Sequence, residues 1–325
     1  MKNNPLGLQS IAHRHLEQKW AIVSTSGYLI PPPIDVEEIQ PRRPVWRSLI
    51  IEQSILFALV AGTFVAVNFL GIQIPANFSQ IAGLLFVFIP VGLWLLLSWR
   101  PESSAPQPRQ RLINVTIISG LAANAIAIPM VQDFFQVDLW LPLAGAVNRI
   151  IGYSFTAGIT YEITKYLVIR YTVWPDDFLD RFDSVAYSAA SAVGFSTALN
   201  LIFVLSDTPP LDIVALRIFE TTTLQLATSL IVGYALVELR FSRPTPLLLP
   251  SAVAVAAFVN GVAIPIRAGL VNATFNLTTS APKSLFGLGF AVVLFAIVVA
   301  VVSFLLRSTE QQAREATLSQ EGELR

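Results

Sequence analysis

Seven ionisable side chains lie inside apolar stretches of this sequence, and they are the first residues to consider for chemistry. A charge in the middle of a membrane helix costs at least about 2.5–3.5 kcal/mol, so such a residue is retained for a reason. Two pairs of opposite charge are each three residues apart and share one helix face. Each pair either neutralises itself and fixes helix packing, or lines a polar cavity. The seven residues are Glu52, Arg149, the pair Glu162 and Lys165, the pair Arg217 and Glu220, and Arg267.

Uncharged polar residues extend the faces on which these charges lie. Spacings of three, four and seven residues put them on common helix faces. A helix bundle would turn these polar stripes inward, around one shared cavity. The residues concerned are Thr221, Gln225 and Thr228 in one segment, Ser196 and Asn200 in another, and Asn260 with Arg267 in a third.

The available side chains exclude most metal and nucleophile chemistry. A zinc site needs about three protein ligands from His, Cys, Asp or Glu. The sequence has no cysteine and two histidines, His13 and His15, both in a polar N-terminal tail. We therefore expect no metal and no cofactor, and no Ser–His or Cys–His nucleophile. A Ser–Lys dyad of Ser196 and Lys165 stays open, although serines in membrane helices more often bridge neighbouring helices.

The elements that position these residues are membrane helices. Of the 325 residues, 54% are hydrophobic and 13% are charged, whereas soluble domains are about 25% charged. A helix needs about 20 apolar residues to cross a bilayer. We therefore predict an all-α, polytopic membrane helix bundle of about eight transmembrane helices. The predicted segments are 48–70, 80–99, 112–132, 142–169, 183–205, 212–239, 247–271 and 285–306.

Basic residues alternate between successive loops and indicate the orientation of the chain. Arginines are concentrated in the two tails and in every second loop, whereas the other loops contain one basic residue, Lys283. This positive-inside pattern predicts that both termini are cytoplasmic. We predict a cytoplasmic tail with a Pro-rich linker over 1–47, the helix bundle over 48–306 and a cytoplasmic tail over 307–325. The predicted location is a bacterial plasma membrane, which the chain crosses several times.

Two stretches of the chain resemble a known family. Residues 158–165 read G-I-T-Y-E-I-T-K, and residues 183–205 read D-S-V-A-Y-S-A-A-S-A-V-G-F-S-T-A-L-N-L-I-F-V-L. These runs resemble the E-E-x-x-K helix and the D-x-x-x-Y-G-x-x-x-x-x-G-F-x-x-x-E-N helix of the PrsW intramembrane peptidases, distant relatives of the CAAX prenyl endopeptidases. A weaker likeness continues from Arg217 to Tyr234 and at Asn260, so that the PrsW-like core covers about 142–271.

The sequence departs from the PrsW pattern at most positions that the family uses for hydrolysis. The first glutamate of the E-E-x-x-K motif is Tyr161, and the glutamate of the F-x-x-x-E motif is Leu199. The two expected histidines fall at Gln225 and Asn260. The resemblance implies that Glu162 is the one candidate left for activating water. A carboxylate paired with an ammonium, as this one is with the motif's retained lysine, is a poor base near neutral pH.

Three functions stay open at this point. The first is a PrsW-like protein that has lost peptidase chemistry and binds a transmembrane segment or a small ligand in a cavity lined by the polar stripes and Tyr161. The second is an active glutamate-dependent protease, in which Glu162 acts with the amides of Gln225 and Asn260 as oxyanion donors. The third is a membrane transporter, although no internal repeat is visible. The expected partners are the lipid bilayer and a single-span membrane protein. No nucleic acid is expected, because basic and acidic residues balance at 21 each.

Overall fold

Helices joined by short connections make up the described part of the chain. The computed structural model describes residues 45–72, 75–103, 109, 111–206, 209–242, 245–272 and 282–323, and these residues contain no strand. The prediction of an all-α, polytopic membrane bundle is therefore confirmed. The predicted tail 1–47 lies almost entirely outside the described residues. Its boundary, and the cytoplasmic location of both termini, stay predictions.

Nearly all the described residues belong to a series of long helices. In chain order these are α1 (Val45–Asn68), α2 (Ala76–Trp94), α3 (Leu112–Ala122), α4 (Ala146–Tyr153), α5 (Ile159–Thr172), α6 (Asp183–Ser206), α7 (Leu211–Phe241), α8 (Leu248–Asn272) and α9 (Pro282–Glu323). Several of these helices are continued by π-helical turns or by short helical segments. These are π-helical turns at Leu95–Trp99, Ala123–Ala127, Met130–Phe134 and Ser154–Gly158, and short helical segments at Arg100–Ser103, Val137–Trp140 and Leu141–Leu143.

Seven helical stretches of the described residues are long and apolar enough to cross a bilayer, and they match seven of the eight predicted segments. The remaining segment, 142–169, forms one helical run from Ala146 to Thr172, made of α4, a π-helical turn and α5. At 1.5 Å per residue this run is about 40 Å long. Each of its three parts contacts α8. Its charged residues make it less apolar than the other seven, so an eighth crossing stays a prediction.

Helix α7 lies at the centre of the bundle. It contacts α1, α2, α5, α6, α8 and α9. Of its most apolar stretch, 83% is buried, against 22% for α1 and for α9. This position explains its sequence, because Glu220, Gln225 and the many threonines of α7 would be costly against lipid but can be paired inside protein. The outer helices instead expose large apolar side chains such as Phe88 and Phe304.

Two glycine contacts bring the run from Ala146 to Thr172 close to α8. A Cβ atom on Gly158 would lie 2.3 Å from the backbone oxygen of Ala257, and one on Gly261 would lie 1.9 Å from Ser154 Oγ. Small residues of this kind allow membrane helices to approach closely. Both contacts flank the π-helical turn Ser154–Gly158, a feature often found beside functional sites. They fix how α5 faces α8, and therefore which side chains meet between them.

Candidate functional site

Glu162 and Lys165 form a buried ion pair on α5. Their spacing of three residues puts both side chains on one helix face, and Lys165 Nζ lies 2.8 Å from Glu162 Oε1. The lysine side chain is 2% exposed and the glutamate side chain 0% exposed. A charge buried this deeply needs a partner with good hydrogen-bond geometry. The pair predicted from the spacing is therefore the core of the site.

The ammonium of Lys165 is also bound by α7. Nζ donates to Gln225 Oε1 at 2.8 Å and to Thr228 Oγ1 at 2.9 Å, and the backbone oxygen of Gln225 lies 3.4 Å away. An ammonium has three donors, and the contacts to Glu162, Gln225 and Thr228 use all three. Lys165 is therefore held as a structural cation between two helices.

Asn260 of α8 closes the contacts into a ring. Its Nδ2 donates to Glu162 Oε1 at 2.6 Å, and its Oδ1 accepts from Gln225 Nε2 at 3.3 Å. The ring thus runs from Glu162 through Lys165, Gln225 and Asn260 back to Glu162, with side chains from α5, α7 and α8. We call these four residues the polar ring. One negative and one positive charge make it neutral overall, which suits its burial.

The two oxygens of Glu162 are used unequally. Oε1 accepts from both Lys165 and Asn260, whereas Oε2 is buried and has no hydrogen-bond partner among the described residues. One carboxylate oxygen therefore makes no hydrogen bond within the described part of the chain. The other is engaged by a cation and an amide.

A cavity of about 580 Å³ adjoins the polar ring. Gln225 and Asn260 belong to both, and they form the buried end of the cavity. Its other end reaches the surface at Asp138 and Ser206, which are exposed. Tyr161 lines the wall between these ends, and its ring contacts Phe195 edge to face at a centroid distance of 5.2 Å.

Arg217 and Glu220 both line the cavity, as their common helix face predicts. The guanidinium carbon of Arg217 lies 4.1 Å from the ring centre of Phe203, a cation–π contact with the cavity wall. Glu220 is 3% exposed. A Cβ atom on Gly287 of α9 would lie 2.2 Å from Glu220 Oε1, so this carboxylate packs against α9. The arginine is therefore the more accessible of the two charges.

Three predicted lining residues are placed differently or fall outside the description. Ser196 Oγ donates to the backbone oxygen of Val193 at 3.1 Å, and Ser196 is not among the residues that line the cavity. Asn200 is fully buried, away from the cavity lining, and its amide has no hydrogen-bond partner in the described part of the chain. The side chain of Arg267 lies outside the described residues. Since Ser196 and Lys165 make separate hydrogen bonds, the contacts give no support to a Ser–Lys dyad.

A second group of charges lies at the end of the bundle where α6 begins. Arg109 Nε lies 2.6 Å from Asp183 Oδ1, and its Nη1 lies 2.9 Å from Glu102 Oε2. Asp183 Oδ2 accepts from the backbone nitrogens of Leu179 and Asp180, both at 2.7 Å. Asp183, the aspartate of the D-x-x-x-Y motif, is therefore engaged by Arg109 and by two backbone N–H groups. These contacts fix the connection between α5 and α6. Sequence reasoning missed Arg109 because it lies in a Ser/Pro-rich loop.

The carboxyl of Asp177 lies in the same connection, outside the membrane helices. Partial burial raises its pKa from the ordinary value of 3.8. Arg111, whose Nη1 lies 3.5 Å from Asp177 Oδ2, lowers it, and the nearby carboxylates of Asp176 and Asp183 raise it further. Burial is the largest of these effects, so the pKa is raised on balance.

The donor atoms around the polar ring do not suit a metal ion. Among the described residues, no three side chains of His, Cys, Asp or Glu come together. The ring offers one carboxylate, two neutral amides and an ammonium, and the ammonium would repel a divalent cation. Zinc takes imidazole, thiolate and carboxylate ligands. The residues present therefore do not fit a catalytic zinc.

Comparison with known proteins identifies one matching family. The model of the family described as "PrsW family intramembrane metalloprotease" matches residues 107–303, which include the polar ring and its cavity. No curated protein and no solved structure matches the chain.

Proposed function

The chain belongs to the PrsW family of intramembrane metalloproteases, and from that premise we propose that it is a catalytically degenerate member. It keeps the membrane bundle and uses the intramembrane cavity to bind a transmembrane segment or a small ligand. Binding in place of hydrolysis would make it a scaffold or sensor within the bilayer. We further propose that this bilayer is a bacterial plasma membrane and that a single-span membrane protein is a partner.

The composition of the polar ring is the observation that carries this proposal. Hydrolysis of a peptide bond needs a base within reach of a water molecule and a donor or metal for the oxyanion. Glu162 Oε1 is instead bound by Lys165 at 2.8 Å and Asn260 at 2.6 Å. Gln225 and Asn260 stand where the PrsW resemblance leads us to expect histidines, and neither amide can hold zinc as an imidazole does.

The second candidate function is an active glutamate-dependent protease. One observation favours it, namely that Glu162 Oε2 has no hydrogen-bond partner among the described residues. A water bound to that oxygen would be the nucleophile, and the amides of Gln225 and Asn260 would donate to the oxyanion. The ion pair with Lys165 opposes this function, because the ammonium and the amide of Asn260 already occupy the other oxygen of the same carboxylate.

The two candidates are separated by the variant Glu162→Gln, studied in vesicles with a single-span membrane protein as partner. A degenerate binder should give the same amount of crosslinked partner before and after the substitution, once protein abundance is matched, and no cleavage in either case. A protease should cleave the partner, and Glu162→Gln should abolish the cleavage. Glu52→Gln is a matched control, since Glu52 is a buried membrane carboxylate of α1 that accepts a hydrogen bond from Ser98 and does not belong to the polar ring.

A further inference from the structure

We propose that the cavity beside the polar ring takes a single-chain amphiphile with an anionic head group. The head group lies at Arg217, and its one hydrocarbon tail runs along the apolar lining. The inference rests on the proposed function, since it names the class of ligand for the same cavity. Between the two classes left open there, a transmembrane segment and a small ligand, it selects the second.

The cavity has the volume of a small-ligand site. Its lining extends along α7 from Ile213 to Gln225, a distance of about 18 Å at 1.5 Å per residue. Its volume of about 580 Å³ is within the range of small-ligand sites, about 300–1,000 Å³.

The lining of the cavity is largely apolar, and four of its polar side chains belong to α7. The aliphatic side chains include Ile128 and Val131 of the run after α3, Leu199 and Ile202 of α6, and Ile213, Leu216 and Leu224 of α7. The polar side chains of α7 are Arg217, Glu220, Thr221 and Gln225. An extended peptide would leave backbone N–H and C=O groups unpaired against the apolar lining, which is costly in a membrane interior. A hydrocarbon tail has no such groups.

Of the two α7 charges that line the cavity, Arg217 is the more accessible. Arg217 is partly exposed, and its guanidinium lies against the wall at Phe203. Glu220 is almost closed off and packs against Gly287. Asp138 lies at the exposed rim, where water screens it. A carboxylate or phosphate head group would therefore meet Arg217 as its nearest accessible partner, with charge-assisted hydrogen bonds.

The buried end of the cavity does not require a polar ligand group. Gln225 and Asn260 bond to each other at 3.3 Å, and each also bonds to a charged member of the polar ring. Their amides are therefore engaged before any ligand arrives, and a tail methyl group against them would leave no hydrogen bond broken. An amphiphile with one polar end and an apolar tail therefore matches this lining.

The proposal is tested by native mass spectrometry of the full chain released from neutral detergent, with three probes of equal chain length. These are palmitate, a 16-carbon lysophosphatidate and the uncharged hexadecanol. The two anions distinguish a free fatty acid from a lipid phosphate as the source of the head group. Arg217→Gln should weaken binding of the better anion about tenfold or more, as expected for the loss of a charged hydrogen bond. Hexadecanol binding should change by less than about twofold.

Two matched variants make the result decisive. Arg149→Gln removes a membrane arginine that bonds to the backbone oxygen of Ala144 and does not line the cavity, so it should leave binding unchanged. Ile202→Trp narrows the cavity and should abolish binding of all three probes. If Arg217→Gln does not fold, Arg217→Lys keeps the charge and should retain binding within about tenfold.

Several results would overturn the inference. They are no binding of either anion, equal binding by the unaltered chain and by Arg217→Gln, or displacement of palmitate by a synthetic transmembrane helix. Each of these would leave the proposed function intact, because that function requires an inert polar ring and accepts other ligands. Cleavage of a membrane substrate would instead remove the proposed function, whichever amphiphile binds.

Discussion

Asn260 Nδ2 lies 2.6 Å from Glu162 Oε1. The side chain that stands at an expected PrsW histidine position therefore donates a hydrogen bond to the one glutamate retained from the E-E-x-x-K motif. Lys165 reaches the same oxygen at 2.8 Å. Asn260 is therefore part of a closed, neutral hydrogen-bonded ring that joins α5 to α8.

Removing the cation of the polar ring should strongly destabilise the bundle. Lys165→Met leaves the carboxylate of Glu162 buried without a counter-charge, and we expect the free energy of unfolding to fall by about 3–5 kcal/mol. The double variant Glu162→Gln/Lys165→Met should lose less, because no charge is left unpaired. Unfolding by sodium dodecyl sulfate in mixed micelles measures both. A double variant that is less stable than Lys165→Met would show that the pair is not coupled as described.

Introducing two imidazoles into the polar ring should create a metal site. Gln225→His together with Asn260→His would place two imidazoles beside Glu162, which completes the three ligands that zinc requires. We expect this double variant to retain about one zinc ion per chain after dialysis. Adding Lys165→Met should tighten the binding by removing the nearby positive charge. Zinc content is measured by elemental analysis, and equal zinc retention by the unaltered chain would contradict the described donor set.

The glycine contact between the π-helical turn and α8 should tolerate no side chain. A Cβ atom on Gly158 would lie 2.3 Å from the backbone oxygen of Ala257, so Gly158→Ala forces the helices apart. We expect a loss of about 1–3 kcal/mol, typical of overpacking. Gly62→Ala is the matched control, because nothing lies within 4 Å of its Cβ position. Alanine there should be neutral or slightly stabilising. Equal effects of the two substitutions in thermal unfolding would argue against the close approach.

The connection between α5 and α6 should carry a small dependence of stability on pH. The pKa of Asp177 is raised in the folded protein, mainly by burial, so the folded state binds its proton more tightly than the unfolded state. Stability should therefore fall as pH rises from the ordinary carboxyl pKa through the raised one. Asp177→Asn should remove this component, which is seen by comparing unfolding temperatures of the two proteins across acidic pH. A steeper fall of stability with rising pH in Asp177→Asn than in the unaltered protein would contradict the predicted sign.

The polar ring was predictable in part from spacing alone. Glu162 and Lys165 are three residues apart and could be placed on one face from the sequence, as could Gln225 and Thr228 on α7. Asn260 could not be connected to them in this way, since its contact with Glu162 depends on how α8 is rotated against α5. The contact of Gly158 with Ala257 sets that rotation, and no periodicity in either segment indicates it.

Helix α6 illustrates the same limit. Ser196 and Asn200 do share a face, but this face continues to Val204, which packs with Val87 and Val214 of neighbouring helices. The cavity is lined instead by the adjacent face, with Leu199 and Ile202. One residue step in a helix turns the side chain by about 100°. The polarity of Ser196 and Asn200 therefore predicted that they share a face. The direction in which that face points was decided by the packing of small residues between the helices.

The cleavage of a single-span membrane substrate by the purified, unaltered chain is the most direct test of this account. The protein is reconstituted into vesicles with zinc supplied in excess, and mass spectrometry searches for any fragment of the substrate. We predict no fragment above the level seen in vesicles without the protein, because the polar ring holds Glu162 in contact with Lys165 and Asn260. Fragments that accumulate with time and disappear in Glu162→Gln would contradict the account.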